Sequence, residues 1–431
     1  MSGSVLIVGT TPDYVTKLYE RYSKSLLFLT DLRFEEDPLL SRLPPSSLIF
    51  APLQDVETAC RQTREALRAG RFTPEGIACF DCDSLLLASR LGSELGLRFP
   101  TWEPIARSRS KFETKKIWSA HGVASPLASI VSSLKETLHF FNTCGRNMVL
   151  KPVSGSGSEL LFHCTNEPAL TQAVKTLEEE LPKRSRNPLF RPFPNPAGGS
   201  RIDPCRCWVA EEFISGPEFS CDFVLQDEKI FFIRETGKIK ATDKPFGSVL
   251  AYTFPPRYPS GFQKRILKEA LKKATNSLGF DWGFFMVDYV VNQGTPMLIE
   301  LTPRPGGDSI PELVRAATGL DTLALYLDFV QGRFREPEEP ALAPESFASL
   351  NFFAPKEGRI EVLDGTGVRA LPHVKELFFK KKPGDRVILP PKDYDHRLLG
   401  SCIIEAKPGL DLIAETQRLQ RLLEVSIEQD A

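Results

Sequence analysis

The sequence has no surplus of charge of either sign: 54 Lys and Arg stand against 55 Asp and Glu, for a net charge of −1. A chain so balanced has no global pull toward nucleic acid or an anionic membrane surface. No apolar run approaches the ~20 residues that a membrane-spanning helix needs, and the amino terminus lacks the basic and apolar zones of a secretory signal. The nine cysteines follow no framework spacing, so free thiols in a reducing compartment, and hence the cytoplasm, are expected. Only five histidines occur, and they are scattered. Cys79-x-x-Cys82 and Cys205-x-Cys207 have no second ligand pair and no nearby histidine, so a zinc centre is not expected at either. The first loop, Gly9-Thr-Thr-Pro-Asp13, is not Gly-x-Gly-x-x-Gly, which leaves dinucleotide binding unsupported. No Ser-His or Cys-His pairing offers a nucleophile, and no internal repeat is present.

What is there is an ordinary globular composition, 42% hydrophobic and 25% charged, in 431 residues. That length predicts about two to four packed units. Residues 4–9, 26–29, 47–50 and 76–80 read as strands, with helices near 12–22, 55–69 and 83–91 between and after them. This alternation predicts a doubly wound parallel sheet. Further helices are expected at about 168–181, 261–278 and 310–331, and a strand at 229–233. Residues 182–204, rich in Pro, Arg, Asn and Gly, read as a mobile surface loop. The Pro- and Glu-rich stretch 335–345 marks a boundary. Beyond it, strands at 349–353, 386–389 and 402–405 and a helix at 411–423 predict a small α+β tail. The run Lys380-Lys381-Lys382 reads as a solvated turn.

One stretch organises the rest. Apolar runs at 285–291 and 297–301 flank Asn292-Gln-Gly-Thr-Pro296, the signature of a β-hairpin. A turn centred on Gly294 pairs Asp288 with Glu300, on one face, about 5 Å apart. They are either two solvated acids on a wet face or a pair that needs a cation between them. Mg²⁺ held by one or two carboxylates and substrate phosphates fits the second reading. Thr302 and Arg304 continue the Glu300 face at steps of two if the strand stays extended. Gly306 and Gly307 then open a helix from Ile310 to Thr318, whose free amides attract anions. Arg304 either grips a substrate carboxylate or pairs with Asp308 or Glu312 to pin the helix start.

Three other segments carry charge where an anion would be welcome. Residues 107–126 place Arg107, Arg109 and Lys111 at a helix N-terminus, which is unfavourable for the helix dipole unless an anion is near. Met148-Val-Leu-Lys151 is a strand running into Ser154-Gly155-Ser156-Gly157-Ser158. The lysine supplies a point charge, and the glycines let backbone amides approach phosphate oxygens. A flexible Gly-Ser turn is the plainer alternative. Trp208 to Glu212 reads as a strand that ends at Ser215-Gly216-Pro217, with a second strand from Glu218.

Taken in order, Lys111, Lys151 with its Ser-Gly loop, Glu211 to Glu218, and Asp288 with Glu300-x-Thr302-x-Arg304 resemble the ATP-grasp superfamily. Glu211-Glu-Phe-Ile-Ser-Gly-Pro-Glu218-Phe-Ser resembles the nucleotide-binding segment of D-alanine–D-alanine ligases. Glu300-Leu-Thr-Pro-Arg304-Pro-Gly-Gly307 is similar to L-amino-acid ligases, carnosine-synthase-like enzymes and biotin carboxylases. The resemblance covers about residues 1–335. It implies a Rossmann-like parallel-sheet domain (1–105), two ATP-grasp lobes with antiparallel sheets (106–215 and 216–338), and the α+β tail (339–431).

The resemblance also implies roles. Lys111 and Lys151 would hold ATP phosphates, with Ser154, Gly155, Ser156, Gly157 and Ser158 as the lid loop. Glu211 and the backbone of Glu212, Phe213 and Ile214 would meet adenine, and Glu218 the ribose. Asp288 and Glu300 would bind Mg²⁺, for which Mn²⁺ could substitute. Thr302 stands where many members carry a metal-binding Asn, which leaves a second ion in doubt. Arg304, with Gly306, Gly307 and Asp308, would hold the substrate carboxylate and then its acyl phosphate. Arg304 and Lys151 are the expected catalytic residues. The implied reaction is ATP-dependent carboxylate–amine ligation. Its partners are a small-molecule acid and amine, with no nucleic acid, no membrane, and a homodimer allowed. The alternatives are a carboxylase-like enzyme of the same fold or a nucleotide-binding regulatory protein without turnover.

Overall fold

The computed structural model describes residues 4–22, 26–155, 157–193, 201–337 and 346–429. The amino-terminal part alternates β1 (Ser4–Val8), α1 (Pro12–Tyr22), β2 (Leu26–Asp31), β3 (Leu48–Ala51), α2 (Val56–Gly70), β4 (Pro74–Cys79) and α3 (Leu85–Leu95). All strand pairs are parallel, in the order β3-β2-β1-β4. Leu6, Ile7 and Val8 are fully buried, as expected for a strand covered on both faces. The carboxyl ends of β1 and β4 open on a crevice, the usual place for a ligand in such a sheet. There the Asp81 carboxylate accepts from the Thr10 and Ser84 amides.

α4 (Trp102–Arg109) and α5 (Lys111–Ala120) follow, broken at Ser110, whose hydroxyl caps α5 by accepting from the Glu113 amide. A second sheet is built from β5 (Ala128–Val131), β6 (Met148–Pro152), β7 (Phe162–Cys164) and β8 (Trp208–Glu212), antiparallel in the order β5-β8-β6-β7. Helices α6 (Leu134–Thr143) and α7 (Glu167–Glu180) share a core with it through Phe141, Leu170, Leu177 and Trp208. The expectation of a mobile 182–204 loop fails for its described part. Leu189 and Phe190 are buried in that same core, and Phe193 and Ile202 form a β-bridge. Residues 194–200 lie outside the described set.

The third sheet is the largest. Its strands are β9 (Glu218–Gln226), β10 (Lys229–Lys240), β11 (Val249–Phe254), β12 (Gly283–Asn292), β13 (Thr295–Thr302), β14 (Ser346–Phe353), β16 (Val374–Phe379) and β18 (Leu398–Ala406). They run antiparallel in the order β13-β12-β9-β10-β11-β14-β18-β16. Strands from the carboxy-terminal α+β part therefore extend the sheet that carries the hairpin. β15 (Gly358–Asp364), β17 (Arg386–Val387) and β19 (Glu424–Glu428) make a small separate sheet, accompanied by α11 (Thr366–Arg369) and α12 (Leu412–Leu422). α8 (Lys264–Leu278) packs on the apolar face of β9, β12 and β13, in a core continuous with the amino-terminal sheet. The helix expected over 310–331 is two, α9 (Ile310–Thr318) and α10 (Thr322–Val330). Gly319 ends the first with φ +75° and Asp321 caps the second. Among the described residues no helix is long and apolar enough to cross a membrane.

Candidate active site

The hairpin turns at Gln293-Gly294, both with positive φ, in the two-residue form that suits the twist of antiparallel strands. Asn292 pairs with Thr295, so a regular ladder would set Asp288 opposite Ile299. The register shifts by one between Asp288 and Tyr289, and Asp288 faces Glu300. The expected pairing therefore stands, but on a β-bulge at Ile299 rather than on a turn centred at Gly294. β9 and β10 repeat the device. Their turn at Asp227-Glu228 would place Lys238 opposite Pro217, and a shift near Ile233 moves it opposite Glu218. Bulges re-aim side chains beside functional clefts. Here each one puts charged residues on the face opposite the core.

That face opens on a cleft of about 900 Å³ between the three sheets. Lys111, at the start of α5, lies 3.4 Å from Glu300 and donates to the Gly155 carbonyl at 2.7 Å. Lys151, at the end of β6, pairs with Glu211 at 2.7 Å. One turn beyond Lys111, Lys115 is 2% exposed, lies 3.8 Å from Glu211 and donates to the carbonyl of the bulge residue Ile299. Burial pulls the Lys115 ammonium down to about 8, although Glu211 pulls the other way. Burial alone would raise Glu300, but Lys111, Lys151 and Lys115 hold it below the ordinary carboxylate range.

Lys238 lies between two acids, 2.7 Å from Asp288 and 3.2 Å from Glu218, and Lys240 also pairs with Glu218. Burial pushes the Asp288 carboxyl above its usual value despite Lys238. Its Oδ1 is buried and has no hydrogen-bond partner among the described residues. Glu218 stays below the ordinary range because its two lysines outweigh its burial.

The strand does not stay extended past Thr302. The Arg304 amide donates to the Thr302 carbonyl at 2.9 Å, a tight turn around Pro303 that ends the ladder. Arg304 still lines the cleft, with Nε donating to the Cys82 sulfur at 3.3 Å and Nη1 to the Pro305 carbonyl at 2.8 Å. It pairs with neither Asp308 nor Glu312. Behind it lies a buried brace. Arg234 donates to Ser220, Thr236 and Asp222, and both Asp222 oxygens accept from the Gly306 amide at 3.1 Å. Asp308, at φ +53°, accepts from Tyr252 and pairs with Lys380 at 3.3 Å. Lys380 lines the cleft while remaining exposed, and the run it begins leads into an exposed turn at Lys382 to Asp385.

The glycine loop runs beside Lys151. Gly155 (φ +128°) and Gly157 (φ +67°) both take conformations that favour glycine. The Ser154 hydroxyl donates to the Leu189 carbonyl, and that of Ser158 to the Gly247 carbonyl. Ser156 lies outside the described residues. Glu212, Phe213 and Ile214 line the cleft next to the loop, with Phe213 stacked on His163 at 4.0 Å. The Glu211 carboxylate, expected at a base, is committed to its two lysines. Thr302 and Gly307 also line the cleft.

Lys115, Lys238, Arg234 with Asp222, and Lys380 were missed as site residues. Lys115 was signalled by its spacing of four from Lys111 on one helix face. The signal for Lys238 and Arg234 was the cross-strand register, hidden by the bulge.

An ATP-grasp domain model matches residues 144–312. An uncharacterized protein of Sinorhizobium fredii is 22% identical over 292 residues, 67% of this chain and 55% of that one. Dapdiamide A synthase of Enterobacter agglomerans is 26% identical over 344 residues, 77% of this chain and 74% of its own. The D-alanine–D-alanine ligase of Acidovorax ebreus is 25% identical over 242 residues, 52% and 65% of the two chains. The chain thus spans little more than half the length of the first of these relatives. Among solved structures, the L-amino acid ligase from Bacillus licheniformis superposes with a TM-score of 0.76 at 18% identity over 99% of both chains. The biotin carboxylase domain of the Hydrogenobacter thermophilus 2-oxoglutarate carboxylase does so at 0.67 and 17%, over 98% and 91%. Residues 144–312 thus match an ATP-grasp domain, and the chain as a whole is similar in fold to an L-amino acid ligase and in sequence to carboxylate–amine ligases.

Proposed function

We propose that this chain is an ATP-dependent ligase that joins a small carboxylic acid to an amine, amino acids foremost, and releases ADP and phosphate. The observation that carries the reading is the gathering of Asp288, Glu300, Lys111, Lys151, Lys238 and Arg304 on one cleft beside a glycine loop. The names of the ligase relatives support it.

In this reading Lys111, Lys151 and the amides of 154–158 hold the triphosphate, while the backbone of 212–214 faces the base and Glu218 the ribose. Arg304 orients a substrate carboxylate for attack on the terminal phosphate. The resulting acyl phosphate is opened by an amine, which forms the amide and expels phosphate. Catalysis is positioning and charge neutralisation, with no covalent enzyme intermediate. The residues fit a divalent cation. Asp288 offers a buried oxygen without a partner among the described residues, and Glu300 stands opposite it. The described residues include no cluster of three ligands, and a cation held there would draw its remaining ligands from phosphate oxygens, as is usual for Mg²⁺. Bound there, Mg²⁺ would supply positive charge against the phosphates, with Thr302 at most a weak further ligand.

The test is ADP release across a panel of acids and amines, with bicarbonate included. Release that requires both an acid and an amine supports the proposal. Release driven by bicarbonate without an amine moves the chain to the carboxylase side of the fold.

A further inference from the structure

Among the described residues three arginines are buried: Arg184, Arg234 and Arg397. Two of them are neutralised. Arg184 pairs with Glu159 and Glu180, and Arg234 with Asp222. The carboxylates hold both guanidinium groups above their ordinary pKa in spite of burial. Arg397 differs. It is 7% exposed, makes no ion pair among the described residues, and its buried Nη1 has no hydrogen-bond partner among them. It is held instead by two rings, Tyr394 at 5.1 Å and Phe353 at 5.5 Å. Burial depresses its pKa. Asp395 is close enough to act on it but not to pair with it; a buried charge left unpaired is costly, and its retention on the wall of a binding cleft points to a ligand.

Its position says which kind of ligand. Arg397 lines the cleft, and the residues before it touch the glycine loop. A Cβ on Gly157 would stand 3.0 Å from Asp395 Oδ1, and Tyr394 belongs to the same core as Leu160. Arg184, paired with Glu159 beyond the loop, donates to the carbonyls of Pro391 and Lys392. The carboxy-terminal segment is thereby strapped to the glycine loop. Of the two lysines this region also sends to the cleft wall, Lys380 and Lys381, the first is already paired with Asp308.

We infer that Arg397 is an oxyanion-binding residue of this cleft, contributed by the carboxy-terminal segment, and that it grips a phosphoryl or carboxylate group beneath the glycine loop. The inference rests on the ligase reading only for which anions arrive there. The aromatic seat pre-orients the planar fork for two parallel hydrogen bonds, which a lysine could not reproduce.

The test uses the full chain with Arg397→Met, which keeps the apolar stem, and Arg397→Lys. Calorimetry with a non-hydrolysable ATP analogue and with AMP reads the phosphate source. KM for each acid and amine reads the carboxylate source. A loss of about tenfold or more for the analogue with AMP unchanged assigns the phosphoryl group, by the weight of a charge-assisted hydrogen bond. An unchanged analogue affinity with KM for one substrate raised about tenfold assigns the carboxylate. In either case Arg397→Met should melt at or above the parent, since it removes an unpaired buried charge. Unchanged analogue affinity with unchanged KM values overturns the inference. So does a melting point several degrees lower with both ligand readouts intact, which makes Arg397 a brace. If no acid and amine pair gives turnover in the parent, the ligase reading fails separately, and unchanged analogue affinity alone then overturns the inference.

Discussion

Gly306→Ala should uncouple the Arg304 loop from the brace beneath it. An added Cβ would stand 2.3 Å from Arg234 Nη2 and 3.2 Å from Asp222 Oδ1. The guanidinium cannot swing aside: its side chain is fully buried and donates at 2.9, 2.9 and 2.6 Å to Ser220, Thr236 and Asp222. Two responses are open. Breaking the buried pair costs about 3–5 kcal/mol, whereas overpacking relieved by a backbone shift costs about 1–3 kcal/mol. The cheaper response wins, so residues 305–307 should move. Arg304 is two residues away, and a displacement of about 1 Å at a positioning group can cost up to a hundredfold in rate. We therefore expect a urea midpoint lowered by about 1–3 kcal/mol at unchanged m-value, with kcat reduced about ten- to a hundredfold and ATP affinity near that of the parent. In an Arg234→Lys background, where the head group is smaller, the cost of Gly306→Ala should shrink by about 1 kcal/mol or more. Parental stability and turnover in Gly306→Ala, or an equal cost in both backgrounds, would refute the reasoning.

Three further outcomes follow from the same geometry. Lys151→Ala should weaken ATP binding by about 1.5–3 kcal/mol, the weight of a hydrogen bond to a charged group; unchanged affinity by calorimetry removes Lys151 from the phosphate site. Arg304→Lys keeps the charge but loses the fork, so it should bind ATP normally and lose at least about tenfold in turnover; a variant that melts several degrees lower with turnover per folded molecule intact would make Arg304 a structural brace. Lys115 titrates near 8 in the folded chain against about 10.4 when unfolded. The unfolded chain thus binds the extra proton between those values, and this group adds stability as pH rises through that window, while its burial cost is fully present below pH 8. Relative to Lys115→Met, the parent should gain about 2–3 kcal/mol between pH 7 and 10; a flat difference in denaturant midpoints refutes the burial of that charge.

How much of this was legible depended on the range of the interactions. β1 to α3 were readable because apolar runs and helical periodicity are local, and α1 has the predicted bounds. The Asp288–Glu300 pair was readable from the hairpin, but the bulge at Ile299 that sets it was not. Its cause is tertiary: Lys115 binds the Ile299 carbonyl and the Leu298 amide donates to Ala124. Arg304 reaches the cleft although the extended path expected for it is a turn at Pro303. The placement of Lys380 and Arg397 on the cleft wall was invisible because β14, β16 and β18 join the sheet of the hairpin across long sequence separations. The 182–193 stretch looked mobile by composition, yet Leu189 and Phe190 find a core that only the fold supplies.

The central claim is that a substrate carboxylate takes the terminal phosphate of ATP before an amine displaces it. Turnover with an acid labelled with ¹⁸O in both carboxylate oxygens tests this directly. One labelled oxygen should appear in the inorganic phosphate for each amide formed, in step with one ADP. Amide formation with unlabelled phosphate, or with AMP and pyrophosphate in place of ADP, would contradict the acyl phosphate route through Lys151 and Arg304.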